Sequence, residues 1–195
     1  MKLRSLLVAL AIALTSAVAA RAQVAALYLN PVAERISNSK VDNTIYSLLG
    51  PNTTSRIFYG FDLGGYYDVV LPKKPFLAGV DIRNTLVHAN NASLNNFQFG
   101  LKLSANVTPR LTPYIEPYAG VASSRASTAN LHITKYQFGA LAGADYALGH
   151  RVSWRVFEAG YGSVSTTSQS TVGGQGAYPS SKVINFSSGL TFRVH

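Results

Sequence analysis

The sequence predicts an all-β protein, an eight-stranded antiparallel up-and-down transmembrane β-barrel that follows a cleaved signal peptide. Three observations lead to this prediction. Apolar and polar residues alternate along eight segments, which is the pattern of a strand with two different faces. Helical periodicity is absent, and Gly, Pro, Asn and Ser separate the segments. The chain has no cysteine, so burial and backbone pairing must hold the fold together without disulfides.

The first 22 residues predict a signal peptide. Lys2 and Arg4 precede a short apolar run, and Ala20-Arg21-Ala22 fits the small-x-small rule for cleavage. The run is too short for a transmembrane helix, which needs about 20 apolar residues. We therefore expect residues 1–22 to be removed and residues 23–195 to form one outer-membrane β-barrel domain.

The alternating segments set the predicted strands. In the clearest one, residues 96–107, apolar Phe97 and Phe99 alternate with polar Gln98. The second, fourth and sixth gaps between segments are short and the others are longer, the seventh being a Ser/Thr/Gly tract from about residue 164 to 181. Short turns that alternate with longer loops are typical of outer-membrane barrels, where the loops lie outside the cell. The predicted strands lie near 24–36, 56–71, 76–88, 95–107, 111–124, 132–147, 150–163 and 182–194.

The alternation alone does not say which face contacts water, because the apolar face points inward in a soluble barrel and outward in lipid. The polar faces here are rich in Gly, Ser and Asn, small residues that fit the narrow inside of an eight-stranded barrel. Aromatic residues lie near strand ends, as in the interfacial girdles of membrane barrels. We therefore expect Phe97, Phe99 and Leu101 to contact lipid, and Gln98 and Lys102 to point into the lumen.

One segment conflicts with a simple strand. If Val152, Trp154 and Val156 face outward, the same register places Glu158 in lipid, where a carboxylate is costly. Either a β-bulge near Phe157 returns Glu158 to the lumen, or the residue lies above the hydrocarbon. The sequence leaves both alternatives open.

The inward faces of the predicted strands carry a set of charged residues. We count five acids and five bases on these faces, a balance that an ion-selective pore would not show. Charges inside a narrow barrel must be paired, because an isolated buried charge costs several kcal/mol. The sequence therefore predicts an ionic cluster that fills the lumen, formed by Asp62, Asp68, Asp81, Arg83, Lys102, Glu116, Lys135, Asp145, Arg155 and Arg193.

The basic charge of the chain does not indicate a nucleic-acid partner. The chain has 17 basic and 8 acidic residues, a formal net charge of +9, but the bases are scattered, with no run longer than Lys73-Lys74. For an exported protein, the phosphate groups of membrane lipids are the expected counter-charge. No cofactor is predicted, and no metal site is predicted because the four histidines lack ligand spacing.

No catalytic site is predicted either. His88 and His132 are expected at the outer rim of the barrel, with Ser123 and Ser124 at a similar height. A nucleophilic triad also needs a carboxylate to orient the histidine, and the sequence offers none that can be placed beside them. A lipid-modifying enzyme is therefore the weaker interpretation.

The last predicted strand carries the most specific motif. Ser187-x-Gly189-x-x-Phe192-x-Val194 resembles the C-terminal signature of outer-membrane barrels, although that signature ends on an aromatic residue and this chain ends on His195. Residues 23–195 as a whole resemble the small eight-stranded barrels of the outer-membrane protein A transmembrane domain and outer-membrane protein X type. Four segments carry this wider resemblance, residues 79–83, 112–121, 139–148 and 154–162.

The resemblance implies a cell outer-membrane protein that contacts lipid and lipopolysaccharide and is inserted by the barrel-assembly machinery. Together with the ionic lumen, it predicts a monomeric, non-enzymatic barrel that is largely closed. Its role would be envelope structure or surface interaction through extracellular loops, whose ligand the sequence does not identify. The alternatives are a narrow passive solute channel and a lipid A-modifying enzyme.

Overall fold

The structure is a computed structural model, and it describes residues 23–43, 46–71, 75–126, 132–166 and 180–194. Eight antiparallel strands follow one another, and the first pairs with the last to close a barrel. The predicted eight-stranded barrel is confirmed. The strands are β1 (Gln23–Ser37), β2 (Ser55–Val70), β3 (Phe76–Ala89), β4 (Ala92–Ala105), β5 (Leu111–Arg125), β6 (His132–Ala147), β7 (Val152–Ser165) and β8 (Ser180–Val194).

The two ends of the barrel differ. β1 begins and β8 ends at one of them, which also holds the β2–β3, β4–β5 and β6–β7 connections; we call it the terminal end. The other, the loop end, holds the four remaining connections. The predicted signal peptide and residues 167–179 of the Ser/Thr/Gly tract lie outside the described residues. No helix in the described ranges is long and apolar enough to cross a membrane.

The β3–β4 connection is shorter than predicted. Ala89 pairs directly with Ala92, and both intervening residues, Asn90 and Asn91, have positive φ angles of 46° and 66°. Asparagine tolerates this left-handed conformation, which a two-residue hairpin turn requires. The prediction of a longer third loop, with β4 starting at residue 95, is therefore wrong. Polar Ser93 and other residues of this run looked like a loop, although they belong to the strand.

Large apolar side chains cover the outside of the barrel. Phe97 and Leu101 are 52% and 55% exposed, whereas Gln98 and Lys102, each the next residue along the strand, are buried in the lumen, as predicted. A soluble monomer rarely exposes a contiguous apolar surface of this extent, so this exterior is suited to lipid. We call it the apolar belt; its members include Leu27, Leu29, Phe61, Leu63, Ile82, Phe97, Phe99, Leu101, Ile115, Phe138, Ile184, Phe186, Leu190 and Phe192.

The loop end of the lumen is filled by apolar side chains. Leu48 and Leu49, from the connection between β1 and β2, are each only 1% exposed and belong to a buried apolar cluster with inward residues of the strands. Arg56 holds this connection in place by donating from Nη1 to the Leu48 carbonyl at 3.5 Å. We call the cluster the apolar plug; it consists of Val32, Ile36, Leu48, Leu49, Phe58, Val87, Ala92, Leu94, Ala122, Val164 and Val183.

A β-bulge in β7 resolves the two alternatives for Glu158. Asp145 pairs with Arg155, but the preceding residue of β6 pairs with Phe157, so Val156 is the extra residue. The register against β8 shifts at the same place, between Arg155 and Glu158. Glu158 therefore returns to the lumen and is 1% exposed. The bulge alternative was correct, and the position above the hydrocarbon is excluded.

Ser188 of β8 stabilises the bulge. Its Oγ donates a hydrogen bond to the Arg155 carbonyl at 2.9 Å and accepts one from Trp154 Nε1 at 3.2 Å. Both bonds cross from β8 to the irregular part of β7, where the ladder is interrupted. Ser188 therefore links the bulge to the neighbouring strand.

We expect Ser188→Ala to lower the free energy of unfolding by about 0.5–1.5 kcal/mol, the net value of a lost hydrogen bond. Urea unfolding in lipid vesicles would measure this, and Trp154, the only tryptophan, should report it through its fluorescence. Ser104→Ala is the matched control, because the buried Ser104 Oγ has no hydrogen-bond partner among the described residues. Equal stability of the two variants would contradict the role given to Ser188.

Candidate functional site

An ion pair that crosses the lumen forms the centre of the interior. Arg83 of β3 donates from Nη1 to Glu158 Oε1 at 2.5 Å and from Nη2 to Oε2 at 2.9 Å. Both side chains are almost completely buried. This two-pronged geometry suits the planar guanidinium and is the strongest arrangement available to a carboxylate. It joins β3 to β7, which are not neighbours in the barrel.

Glu158 binds three further donors. Tyr114 Oη donates to Oε2 at 2.5 Å, Arg155 Nη1 donates to the same oxygen at 3.2 Å, and Ser187 Oγ donates to Oε1 at 3.1 Å. Glu158 is thus shared between two arginines and two hydroxyl groups. Sequence reasoning missed this central role; the only signal was the conflict between the carboxylate and a lipid-facing register.

Arg83 also lies among three other carboxylates. Its Nη1 is 3.8 Å from Asp62, its Nε is 3.7 Å from Asp81, and its Nη2 is 3.8 Å from Glu116. Tyr28 lies between, accepting a hydrogen bond from Arg83 Nε at 3.0 Å and donating one to Asp81 Oδ1 at 2.7 Å. Tyr28 was not predicted, because a tyrosine on the inward face of a strand looks like an apolar residue.

The network continues toward the terminal end. Arg155 Nε donates to Asp145 Oδ1 at 3.1 Å, and Asp145 lies 3.9 Å from Lys102 Nζ. Lys102 Nζ donates to Asp68 at 3.1 Å and lies 3.2 Å from the centre of the Tyr66 ring. Each of the three buried bases therefore has at least two acidic neighbours.

The structure brings together eight of the ten residues predicted to form the lumen cluster. Lys135 and Arg193 instead lie half-buried at the loop end and the terminal end of their strands. With Glu158 added, we call the set the ionic network. Its members are Asp62, Asp68, Asp81, Arg83, Lys102, Glu116, Asp145, Arg155 and Glu158.

The predicted balance of five acids and five bases in the lumen is wrong. Seven of the eight acidic residues of the chain are fully buried there, against three fully buried bases, while Lys135 and Arg193 are only half-buried near the two ends. The two additional acids are Glu158 and Glu34, whose carboxylate oxygens each lie 3.3 Å from Asn96 Nδ2. Glu34 was not assigned to the lumen because its neighbours on the inward face, Val32 and Ile36, are apolar. Val32 and Ile36 are apolar because they belong to the apolar plug inside the barrel, and not because they face lipid.

A cavity of about 450 Å³ lies at the terminal end of the lumen. Asp68, Lys102, Asp145 and Arg193 contribute charged groups to its lining. The ionic network and then the apolar plug separate this cavity from the loop end. Along the barrel axis the interior therefore changes from a polar cavity to ion pairs and then to an apolar seal.

A second cavity, of about 280 Å³, lies on the outside of the barrel at the loop end. Its lining includes His88, His132 and Ser123, three of the four residues considered for catalysis, but not Ser124. Ser124 is completely buried. All acidic residues except Asp42 are in the lumen, so they cannot orient these histidines. In the described part of the chain, no three His, Cys, Asp or Glu side chains are arranged to hold a metal ion.

The architecture matches solved membrane barrels. Neisserial surface protein A superposes with a TM-score of 0.58 at 13% identity, covering 88% of this chain and 99% of that one. The attachment invasion locus protein Ail of Yersinia pestis gives 0.51 at 10% identity, covering 89% and 100%. The chain has the fold of the small outer-membrane β-barrels. No family model and no curated protein matches the sequence.

The C-terminal motif has a clear place in this outer-membrane barrel fold. Phe192 and Val194 are exposed on the apolar belt side, and Ser187 contacts Glu158 in the lumen. Gly189 lies where a β-carbon would come within 2.7 Å of the Asn30 backbone, so a larger residue would not fit. The fold and the apolar belt together support the predicted localisation in the outer membrane.

Proposed function

We propose that this protein is a non-enzymatic outer-membrane barrel with a closed lumen, which serves envelope structure or surface interaction. The terminal end would lie in the periplasm and the loop end outside the cell, the orientation typical of barrels with this topology. The observation that carries the proposal is the pair of successive seals in the lumen, the ionic network and the apolar plug.

Both seals oppose ion flow for physical reasons. An ion that enters from the terminal end must displace one partner of the Arg83–Glu158 pair, and each charge left unpaired in this buried site costs several kcal/mol. Beyond that pair, Leu48 and Leu49 offer no polar group to replace the ion's hydration shell, and apolar constrictions exclude ions by dewetting. A barrel of this kind contributes through its surfaces rather than through its lumen.

A narrow channel is the second candidate. The sequence predicted equal numbers of acids and bases in the lumen, which argued against an ion-selective channel, whereas the structure has an excess of buried acids. The fully buried charges are seven acids and three bases, an excess that would favour cations over anions in any open pathway. The pathway would have to bypass both seals. Opening would therefore need the connection that carries Leu48 and Leu49 to leave the lumen.

We expect the wild-type protein to give no steady conductance after insertion into planar bilayers. Leu48→Ser combined with Leu49→Ser, which weakens only the plug, should also stay closed because the ionic network remains. A gel that shows the heat-dependent mobility shift of folded barrels controls for misfolded protein. Steady, cation-selective current from folded wild-type protein would favour the channel. Identical lipid A mass spectra from cells with and without the protein are expected if it is not an enzyme.

A further inference from the structure

Four polar residues occupy directly paired positions on four neighbouring strands, in a row that curves around the outside of the barrel at the loop end. His88 of β3 pairs with Ser93 of β4, Ser93 pairs with Arg125 of β5, and Arg125 pairs with His132 of β6. All four positions are on the outward faces of their strands. Neighbouring strands are about 4.8 Å apart, so the row spans about 14 Å. We call it the loop-end row.

The loop-end row lies just above the apolar belt. Two residues further down β4 and β5, Asn95 and Ser123 continue the polar surface, whereas Leu86 at the same level of β3 is apolar and exposed. Two residues further again, Phe97 and Tyr136 are exposed, the latter by 82%. Four residues of tilted strand correspond to about 10 Å along the barrel axis. Arg125 is therefore at the height at which lipid headgroups surround a barrel whose belt lies in hydrocarbon, and because the strands tilt, the other positions of the row are somewhat higher or lower.

The cation at the centre of the row has no acidic partner. Arg125 Nη2 donates to the Asn91 carbonyl at 3.3 Å, which fixes the guanidinium beside the hairpin turn. Arg125 Nε is buried and has no hydrogen-bond partner among the described residues, whereas the residue as a whole is half-exposed. The acids of the chain cannot supply one, because all but Asp42, in the β1–β2 connection, are in the lumen. An arginine on the outward face of a barrel, with no carboxylate in ion-pair contact among the described residues, offers a site for an anion.

The neighbours of Arg125 add hydrogen-bond donors and space. Imidazole N–H groups and serine hydroxyls both donate to phosphate oxygens. The lining of the cavity of about 280 Å³ beside the row does not include Arg125, but it includes the neighbours of Arg125 in the register; it consists of Leu86, Val87, His88, Ser93, Leu94, Asn95, Ser123 and His132. Guanidinium groups bind phosphate through two parallel hydrogen bonds, and donors on either side would complete the contacts to the remaining oxygens.

We propose that the loop-end row binds a phosphate group of a lipid headgroup in the leaflet around the loop end. The inference rests on the membrane placement in the proposed function, since lipid must surround the barrel at that height. Phosphorylated lipid A is the probe that fits this chemistry, because its phosphates lie at the same level as the row when its acyl chains contact Phe97 and the rest of the belt. The site is a binding site and performs no reaction.

Binding of lipid A to the refolded barrel, measured by native mass spectrometry, tests the proposal. We expect Arg125→Gln to weaken binding by about tenfold or more, as for loss of a charge-assisted contact, and His132→Asn to weaken it less. Removing the phosphates from lipid A should weaken its binding to the wild type by a similar factor and make no difference to Arg125→Gln. Arg110→Gln is the matched control, because Arg110 lies beyond the other end of β5 and is fully exposed.

Equal binding by wild type and Arg125→Gln, both shown to be folded by the heat-dependent mobility shift, would overturn the proposal. Free inorganic phosphate that competes as well as lipid A would also overturn it, because the site would then not be specific for a headgroup. The outcome is separate from that of the conductance experiment. A barrel that conducts ions and binds lipid A through its phosphates would refute only the closed lumen. A barrel that is closed but does not bind lipid A through its phosphates would refute only the proposed binding site at the loop-end row.

Discussion

Glu158→Ala will destabilise the folded barrel by about 3–5 kcal/mol, the usual cost of removing one partner of a buried ion pair. The reason is that Arg83 and Arg155 both lose their shared carboxylate while remaining buried. Tyr114 and Ser187 lose an acceptor as well. Urea unfolding of the protein in lipid vesicles would measure the change through the loss of the fast-migrating folded band.

Two further variants sharpen this experiment. Glu158→Gln keeps the size and an acceptor oxygen, so its cost should fall between those of wild type and Glu158→Ala. Asp42→Ala removes the one acidic residue that is outside the lumen, and we expect a change of about 1 kcal/mol or less. If Glu158→Ala were no less stable than Asp42→Ala, the interior would be wet enough for water to replace the carboxylate, and the closed lumen would lose its main support.

Phe99→Arg is expected to cost about 2–4 kcal/mol, the value for a basic residue at the midplane of a membrane barrel. Phe99 is near the middle of β4 and points out from the apolar belt, with 49% of its surface exposed. The effect should be measured as the difference in unfolding free energy in vesicles of defined thickness. A variant that matched wild-type stability would place Phe99 in water and reverse the orientation of the strand.

Val107→Arg is the control for that substitution. Val107 is also apolar and exposed, but it lies two residues beyond Ala105, the last residue of β4, beside the mouth of the cavity at the terminal end of the barrel. The cost of a charge falls to about 0–1 kcal/mol near the membrane interface. The difference between the two variants therefore measures depth in the membrane rather than any general intolerance of arginine.

The features that sequence could predict are those that repeat along a strand. The alternation of Phe97, Gln98 and Phe99 gives both the strand and its faces, because the side-chain period of two is a property of the backbone itself. The composition of the polar faces then indicates which side is the lumen. These local rules were enough for the barrel and for most members of the ionic network.

What sequence could not predict depends on contacts between distant segments. Glu34 was missed because the apolar plug, which includes Leu48 from another part of the chain, changes the inward face of β1 from polar to apolar. The central position of Glu158 depends on a bulge whose stabilising partner, Ser188, is 33 residues from Arg155 in sequence. The two-residue turn at Asn90 and Asn91 was missed because the residues that follow it, such as Ser93 and Asn95, are polar. Beyond the apolar belt, a strand and a loop can have the same polar composition, so the sequence does not distinguish them.

The burial of nearly all acids separates charge along the radius of the barrel. Residues 23–195 carry 14 bases and 8 acids, the 17 bases of the whole chain less Lys2, Arg4 and Arg21, or +6 in all. Three of these bases and seven of these acids are fully buried in the lumen, a formal −4, so the residues outside this buried set, among them Arg193 at the mouth of the terminal-end cavity, carry +10. A polyanion in solution meets only those residues. Folding thus makes the protein behave as a stronger polycation than its unfolded chain. Ion-exchange chromatography or polyanion binding would distinguish the folded from the unfolded protein, although both have the same amino-acid composition.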